Sequence, residues 1–192
     1  MLYLVRHGRT EHNAGRRLLG RQDVPLDDLG RRQAEALGSV KELASAARVV
    51  TSPLLRARQT AASLGPPVSV DERWIEIDYG VFDGCRLEEA PELWRGWAKD
   101  LSFAPEGGES LAAVSDRVRT ACQDLWQEAS EVDVVVVTHV SPIKAAVAWA
   151  IGAGDETSWR MFVDVASVSS IGPGYTGPVL RTFNETHHRP SS

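Results

Sequence analysis

The sequence predicts an α/β protein with a mostly parallel sheet, on three observations. Short apolar runs alternate with amphipathic stretches along most of the chain. The run "VDVVVVTH" (132–139) is apolar on both faces, as a central strand of a parallel sheet is. The tail "SVSSIGPGYTGPVLRTF" (167–183) reads as two strands around a Gly-rich turn, which adds an antiparallel edge pair. With 192 residues, 43% of them hydrophobic, the chain is long enough for one well-buried core and short for two. A single domain over 1–192 is expected, with no internal repeat, low-complexity segment or linker.

Each element has a local reason. "LYLV" (2–5) is a short buried strand followed by a long polar loop. "PLDDLGRRQAEALGSVKELASA" (25–46) predicts a helix capped by Asp27 or Asp28, with Leu29, Ala36, Leu37, Val40 and Leu43 or Ala44 along one side. "RVVTS" (48–52) is a second strand. "SPLLRARQTAASL" (52–64) is a second helix, with Ser52 suited to the N-cap and Pro53 to the first helical position. A brief strand at Val68–Val70 precedes an irregular loop. "LEEAPELWRGWAKDL" (87–101) predicts a helix with Trp94 and Trp97 three apart. "ESLAAVSDRVRTACQDLWQEA" (109–129) is the cleanest helix, capped by Ser110, with Leu111, Val114, Val118, Cys122 and Leu125 on its apolar stripe. "SPIKAAVAWAI" (141–151) restarts a helix behind Ser141 and Pro142. The segment "GPGYTG" (172–177) matches G-x-G-x-x-G, but the strand-like "PVLRTF" follows it instead of a helix, so it reads as a hairpin turn and not a dinucleotide loop.

Charge and cysteine usage narrow the function classes. A net charge of -5 argues against a nucleic-acid or anionic-membrane partner recognised by bulk charge. Against that background Met1–Gln22 holds Arg6, Arg9, Arg16, Arg17 and Arg21 but one acid, Glu11, a local positive field suited to a small anion. Cys85 and Cys122 form neither a disulfide framework nor a zinc pattern, and Cys122 is expected to be a buried inert thiol. Leu2–Val5 is too short for a signal segment, and nothing approaches the ~18 apolar residues of a membrane span, so a cytoplasmic protein is expected.

Three strand ends then matter. The first strand ends at Arg6-His7. The second runs into Ser52-Pro53 and presents Arg56 one turn into a helix. The strongest ends at Thr138-His139 before a helix start. Ligands of open α/β sheets collect outside the carboxyl ends of strands. A histidine after a strand is more often structural, and an arginine in a first helical turn is usually solvated. Their joint occurrence at three corresponding places points to a pocket for a compact anion, gripped by arginine forks and helix N–H groups.

These blocks carry a resemblance. "LVRHGRTEHN" (4–13) is similar to the signature of the histidine phosphatase superfamily, the group related to cofactor-dependent phosphoglycerate mutases. The resemblance continues through "GRQDVPLDDLGRRQA" (20–34), "TSPLLRARQTA" (51–61), "EIDYGVFDG" (76–84), "PEGGESL" (105–111) and "VVVVTHVSPI" (134–143), in order and over most of the chain. It implies a three-layer α/β/α sandwich with a mostly parallel central sheet, like the phosphoglycerate mutases. Carried over position by position, it implies His7 as nucleophile, Arg6, Arg56 and His139 as the phosphate clamp, and Glu76 as proton donor. Asn13 and Gln22 match pocket-lining positions. Spacing alone does not pick Glu76 from Asp71, Glu72, Asp78 and Asp83; the match of "EIDYG" to the family's E-x-x-x-G block does. Where the family often has glycine after the second histidine this chain has Val140, whose N–H can still bind phosphate. "VFDG" replaces a more frequent version with Trp and Glu. Arg9 is expected to reach the substrate, and Arg16, Arg17 and Arg21 to form a solvated loop.

The residue chemistry agrees with those roles. A neutral imidazole can attack phosphorus in line and split one displacement into two. Neighbouring Arg6 and Arg56 would hold it unprotonated and meet the equatorial charge. No metal or cofactor is expected, because arginine and histidine supply the positive charge. The expected function is metal-independent hydrolysis of a small phosphomonoester through a phosphohistidine. Mutase-type phosphoryl transfer and a non-catalytic phosphate-binding module are the alternatives. The room between Glu76 and Ser110 suits only a modest lid, which favours hydrolysis. The block "THVSPIKAAVAWAI" with "WRMFVDVASVSSI" is similar to phosphatase domains fused to an RNase H-like domain in some actinobacterial proteins, and to α-ribazole phosphatases. Trp74, Trp94, Trp97 and Phe103 are candidates for an apolar substrate wall, although a tryptophan pair at helical spacing is more often core. Oligomeric state is not legible, and a homodimer stays open.

Overall fold

A computed structural model of the chain describes residues 1–189. Its elements in order are β1 (Leu2–Arg6), α1 (Glu11–Ala14), α2 (Asp28–Gly38), α3 (Lys41–Ala44), β2 (Arg48–Thr51), α4 (Leu55–Ala61), β3 (Val68–Val70), α5 (Pro91–Lys99), α6 (Leu111–Glu131), β4 (Val134–Thr138), α7 (Val140–Ile151), β5 (Val168–Pro173) and β6 (Pro178–Glu185). One six-stranded sheet runs β3-β2-β4-β1-β5-β6. β3, β2, β4 and β1 are parallel, and β5 and β6 close one edge antiparallel. The predicted class, helices on both faces of a mostly parallel sheet, is the one observed.

Strand alternation builds the three layers. Leu2, Leu4, Val134 and Val136 face one side and pack with Val114, Val118 and Leu125 of α6 and Ile143 and Val147 of α7. Val5, Val135 and Val137 face the other, against Leu37 of α2 and Ala57 and Ala61 of α4. β4 is buried at every residue, as a central parallel strand must be.

Register positions the site. Arg6 pairs with Thr138 across β1 and β4, and Thr51 pairs with Val137 across β2 and β4. His7, Ser52 and His139 therefore leave the sheet side by side at its carboxyl edge. Two glycines let α2 come up against this edge backbone to backbone. A Cβ on Gly8 would meet the Gly30 carbonyl at 2.5 Å, and one on Gly30 the Arg9 carbonyl at 2.0 Å.

Several boundaries differ from the sequence expectation. The helix expected over 25–46 breaks into α2 and α3. Leu37 and Leu43 are both fully buried in the same cluster, and a continuous helix would set residues six apart ~120° around its axis. The break brings both onto one face. Asp27 is the N-cap, accepting the Gly30 N–H. α4 starts at Leu55, not Ser52, because Ser52 is used elsewhere. α5 starts with Pro91 at its first position, and Leu87–Glu89 is a separate 3₁₀ turn. α6 keeps Ser110 as its cap. α7 starts at Val140, ahead of the expected Ser141. "GPGYTG" is the end and turn of the β5–β6 hairpin, where Gly174 N–H donates to the Gly177 carbonyl at 2.8 Å. No helix among the described residues is long and apolar enough to cross a membrane.

Candidate active site

The carboxyl edge of β1, β2 and β4 forms the floor of a cavity of about 450 Å³, lined there by Arg6, His7 and Glu76. His7 is buried, and its Nδ1 lies 2.7 Å from the Gly8 carbonyl. A carbonyl can only accept, so Nδ1 carries the proton and Nε2 presents a lone pair. Arg56 Nε donates to that lone pair at 3.3 Å. Burial first, then the charges of Arg56 and Arg6, holds the His7 pKa well below the ordinary 6.5. The imidazole is neutral, and Nε2 carries its lone pair.

Arg56 is wholly enclosed. Its Nη1 and Nη2 donate to the carbonyls of Gln22 (2.8 Å) and Gly20 (2.7 Å), and burial pulls its pKa down to about 10. The loop supplying those carbonyls is held by Asp83, whose carboxylate accepts the N–H groups of Gly20, Arg21 and Gln22 at 2.8–3.1 Å. Thr60 ties the end of β1 to α4, accepting the Gly8 N–H and donating to the Arg56 carbonyl. Arg6 Nη1 donates to the Val163 carbonyl at 2.7 Å, while its Nε is buried without a partner in the protein.

His139 is fully buried, with its ring centroid 5.0 Å from that of His7. Its Nε2 lies 2.7 Å from Ser52 Oγ, and its Nδ1 is buried without a protein partner. Burial, then Arg56, keeps its pKa well below 6.5. Ser52 is thus the companion of His139 and not a helix cap; its hydroxyl also accepts the Leu54 N–H.

Glu76 is 3% exposed and sits at the start of α7. Its Oε2 accepts the Val140 N–H (3.0 Å), and its Oε1 accepts those of Ser141 (3.1 Å) and Ile77 (2.8 Å). A carboxylate oxygen has two lone pairs, so Oε1 is fully engaged and Oε2 keeps one. The Val140 N–H, expected to bind phosphate, donates to Glu76 in this structure.

The remaining expected residues divide. Asn13 lines the cavity, with its Oδ1 accepting from the Thr10 N–H and hydroxyl. Gln22 is exposed, and its backbone carbonyl rather than its side chain reaches the site, through Arg56. Arg16, Arg17 and Arg21 are exposed, as the residues of a solvated loop are. Arg9 pairs with Asp27 at 2.7 Å, whereas Arg16 and Arg17 line the cavity. Arg21 pairs with Asp78 and Glu109. Trp94 and Trp97 line the cavity, but Trp74 is fully buried in the core and Phe103 packs against Gly96. Tyr79 and Lys144 line it too and were not anticipated. Burial, then Arg6, lowers the Lys144 pKa. A lone lysine in the apolar run "IKAAVAWAI" was the available signal. Among the described residues no three His, Cys, Asp or Glu side chains are grouped to hold a metal ion.

The arrangement is an α/β sheet edge carrying two buried histidines, a fully buried Arg56 and a partly buried Arg6 at one end of a cavity. The family model for the histidine phosphatase superfamily (branch 1) matches residues 2–186. The chain belongs to that superfamily. It is 39% identical over 177 residues to a bifunctional protein of Mycobacterium tuberculosis, covering 88% of this chain and 49% of that protein. The chain thus spans about half the length of this curated relative. It is also 39% identical over 166 residues to the glucosyl-3-phosphoglycerate phosphatase of Mycolicibacterium vanbaalenii, covering 79% of this chain and 74% of that protein. Among solved structures, a phosphoserine phosphatase from Entamoeba histolytica superposes with a TM-score of 0.86 at 26% identity, covering 97% of this chain and 98% of that one.

Proposed function

We propose that this chain hydrolyses a small phosphomonoester through a phosphohistidine on His7, without a metal. The observation that carries the reading is the tautomer of His7: Nδ1–H donates to the Gly8 carbonyl and leaves Nε2 unprotonated, its lone pair met by the long 3.3 Å contact from Arg56 Nε, which substrate phosphate would displace. Nε2 attacks phosphorus, the bond from phosphorus to the ester oxygen breaks, and Glu76 delivers a proton from Oε2 to the departing alkoxide. A water then gives its proton back to Glu76 and attacks the phosphoryl group. The phosphorus–nitrogen bond breaks, and inorganic phosphate leaves. Arg6, Arg56 and His139 meet the charge on the equatorial oxygens, with Arg6 Nε and His139 Nδ1 as the donors that have no protein partner. For His139 this requires the Ser52 hydroxyl to donate to Nε2, so that the ring proton stands on Nδ1.

Every group in the scheme comes from one chain. The reading takes 1–192 as a single domain and a small metabolite as the substrate, as the names of the relatives support. Cys85 and Cys122 are free thiols, in keeping with a cytoplasmic, reducing setting. The test is rapid-quench mixing with a radiolabelled phosphomonoester in the presence of a chelator. An acid-labile, base-stable label on the protein is expected, with release of inorganic phosphate and no isomerised ester. Turnover with no protein-bound label overturns the phosphohistidine, and isomerisation without phosphate release replaces hydrolysis by mutase chemistry.

A further inference from the structure

Beyond the anion floor, the same cavity carries an apolar wall that phosphoryl transfer does not use. Tyr79, Trp97, Trp94 and Trp159 form a continuous run of rings, with successive centroids 5.9, 5.9 and 6.5 Å apart. Tyr79 and Trp97 stand at the inner end, packed against the core, and Trp159 reaches the surface. Trp94 is held in orientation by its Nε1–H, which donates to the Leu87 carbonyl at 3.0 Å. At the mouth Leu87, Trp159 and Phe162 are 39%, 43% and 73% exposed. Single exposed apolar residues are ordinary, but three large ones around the mouth of one cavity mark a contact surface.

This wall is continuous with the floor, so a group bonded to a phosphate on the floor can reach it. A cavity of about 450 Å³ falls in the range that takes up a whole small ligand, with space for ring-sized groups beyond a phosphate. We propose that the ester's leaving group is an alcohol bearing a planar aromatic ring, seated against Trp94, Trp159 and Phe162 while the phosphate occupies the floor. The assignment rests on the phosphatase reading above. Indole and phenyl faces favour offset or edge-on contact with another ring over an aliphatic group of the same size. The aromatic wall therefore selects for planarity as well as for apolar area.

Three esters of matched leaving-group basicity test it: ethyl phosphate, cyclohexylethyl phosphate and naphthylethyl phosphate. In the unaltered chain naphthylethyl phosphate is expected to exceed ethyl phosphate in kcat/KM by roughly tenfold or more, mostly through KM. Cyclohexylethyl phosphate is expected to fall between them. In Trp159→Ala and in Phe162→Ala, both at exposed positions, the naphthyl-to-ethyl ratio drops toward one. In Tyr175→Ala, on the far hairpin, it stays. Equal efficiencies for the three esters, or a ratio that survives both wall variants, overturn the aromatic leaving group but leave hydrolysis intact. Cyclohexylethyl phosphate matching naphthylethyl phosphate overturns planarity. A concentration-dependent dimer that Phe162→Ala abolishes assigns the wall to a second copy and overturns the proposal. No phosphate release from any ester removes the phosphatase reading, and this assignment with it.

Discussion

The floor of the cavity and the outer end of its wall are built on different terms. On the floor, side chains are tied to backbone: His7 to a carbonyl, Arg56 to two, Arg6 to one, and Glu76 to three N–H groups. Those residues are buried or nearly so. On the wall, Trp159 and Phe162 are exposed. The difference teaches where each part of the work is done. Reacting groups must hold their positions to within a fraction of an ångström, and burial with ties to backbone serves that need. Leaving-group recognition tolerates looser contacts, so the wall can be shape alone. Changes to the floor should lower kcat, and changes to the wall should raise KM.

The largest break in that contrast is His7→Ala. It removes the proposed nucleophile and is expected to cost on the order of 10⁴-fold or more in phosphate release, with the protein-bound label lost. A residual rate within tenfold would mean that another group attacks. Next is Glu76→Gln. Loss of general-acid help is expected to slow alkyl esters by roughly 10²–10³-fold, with activated aryl esters slowed far less. An amide at position 76 also sets an NH2 against a backbone N–H that the carboxylate accepted. The ratio between the two ester types is therefore the readout, and equal losses remove Glu76 from the acid role.

A smaller effect sharpens how the floor is held. Asp83 touches no reacting atom but fixes the loop whose carbonyls aim Arg56. Asp83→Ala is expected to lower kcat about tenfold with KM little changed, and Asp83→Glu to restore part of it. The His7 titration, followed by its ring-proton shift, should move up toward 6.5 as the Arg56 charge loses its fixed place. An unmoved titration in Asp83→Ala would make its role purely structural.

The smallest expected effect is on stability. His7 and His139 both have folded-state pKa values below 6.5, so the unfolded chain binds protons more readily. Their contribution is full above about 6.5 and is lost as pH falls from there toward the folded values. Thermal melts between about pH 7.5 and about pH 5 should show Tm falling, less steeply in His7→Ala. Identical slopes would mean that His7 is not buried neutral.

How much could be read beforehand follows the same division. Arg6, His7, Arg56 and His139 stand in contiguous blocks at strand ends, and the topology that gathers them follows from the strand–helix alternation. Glu76 needed the family resemblance, because acids surround it in sequence and only the fold brings it to the start of α7. Ser52 was misread as a cap because serine before proline suits both roles, and its histidine partner is 87 residues away. The ion pair of Arg9 was hidden for a similar reason: Asp27 meets Arg9 only once α2 is docked. The aromatic wall was half legible. Trp94 and Trp97 were in view, but Trp159 and Phe162 come from the segment after α7, and no local period ties them to α5.

Arg56 joins two parts of the molecule besides its proposed part in the reaction. Its side chain clasps the 20–22 loop to α4, and nothing of it is exposed. Releasing that clasp disarms His7 while the sheet, held by its own ladders, still stands. In graded urea, catalysis should therefore fade before circular dichroism does, so that endurance of the fold overstates endurance of the function.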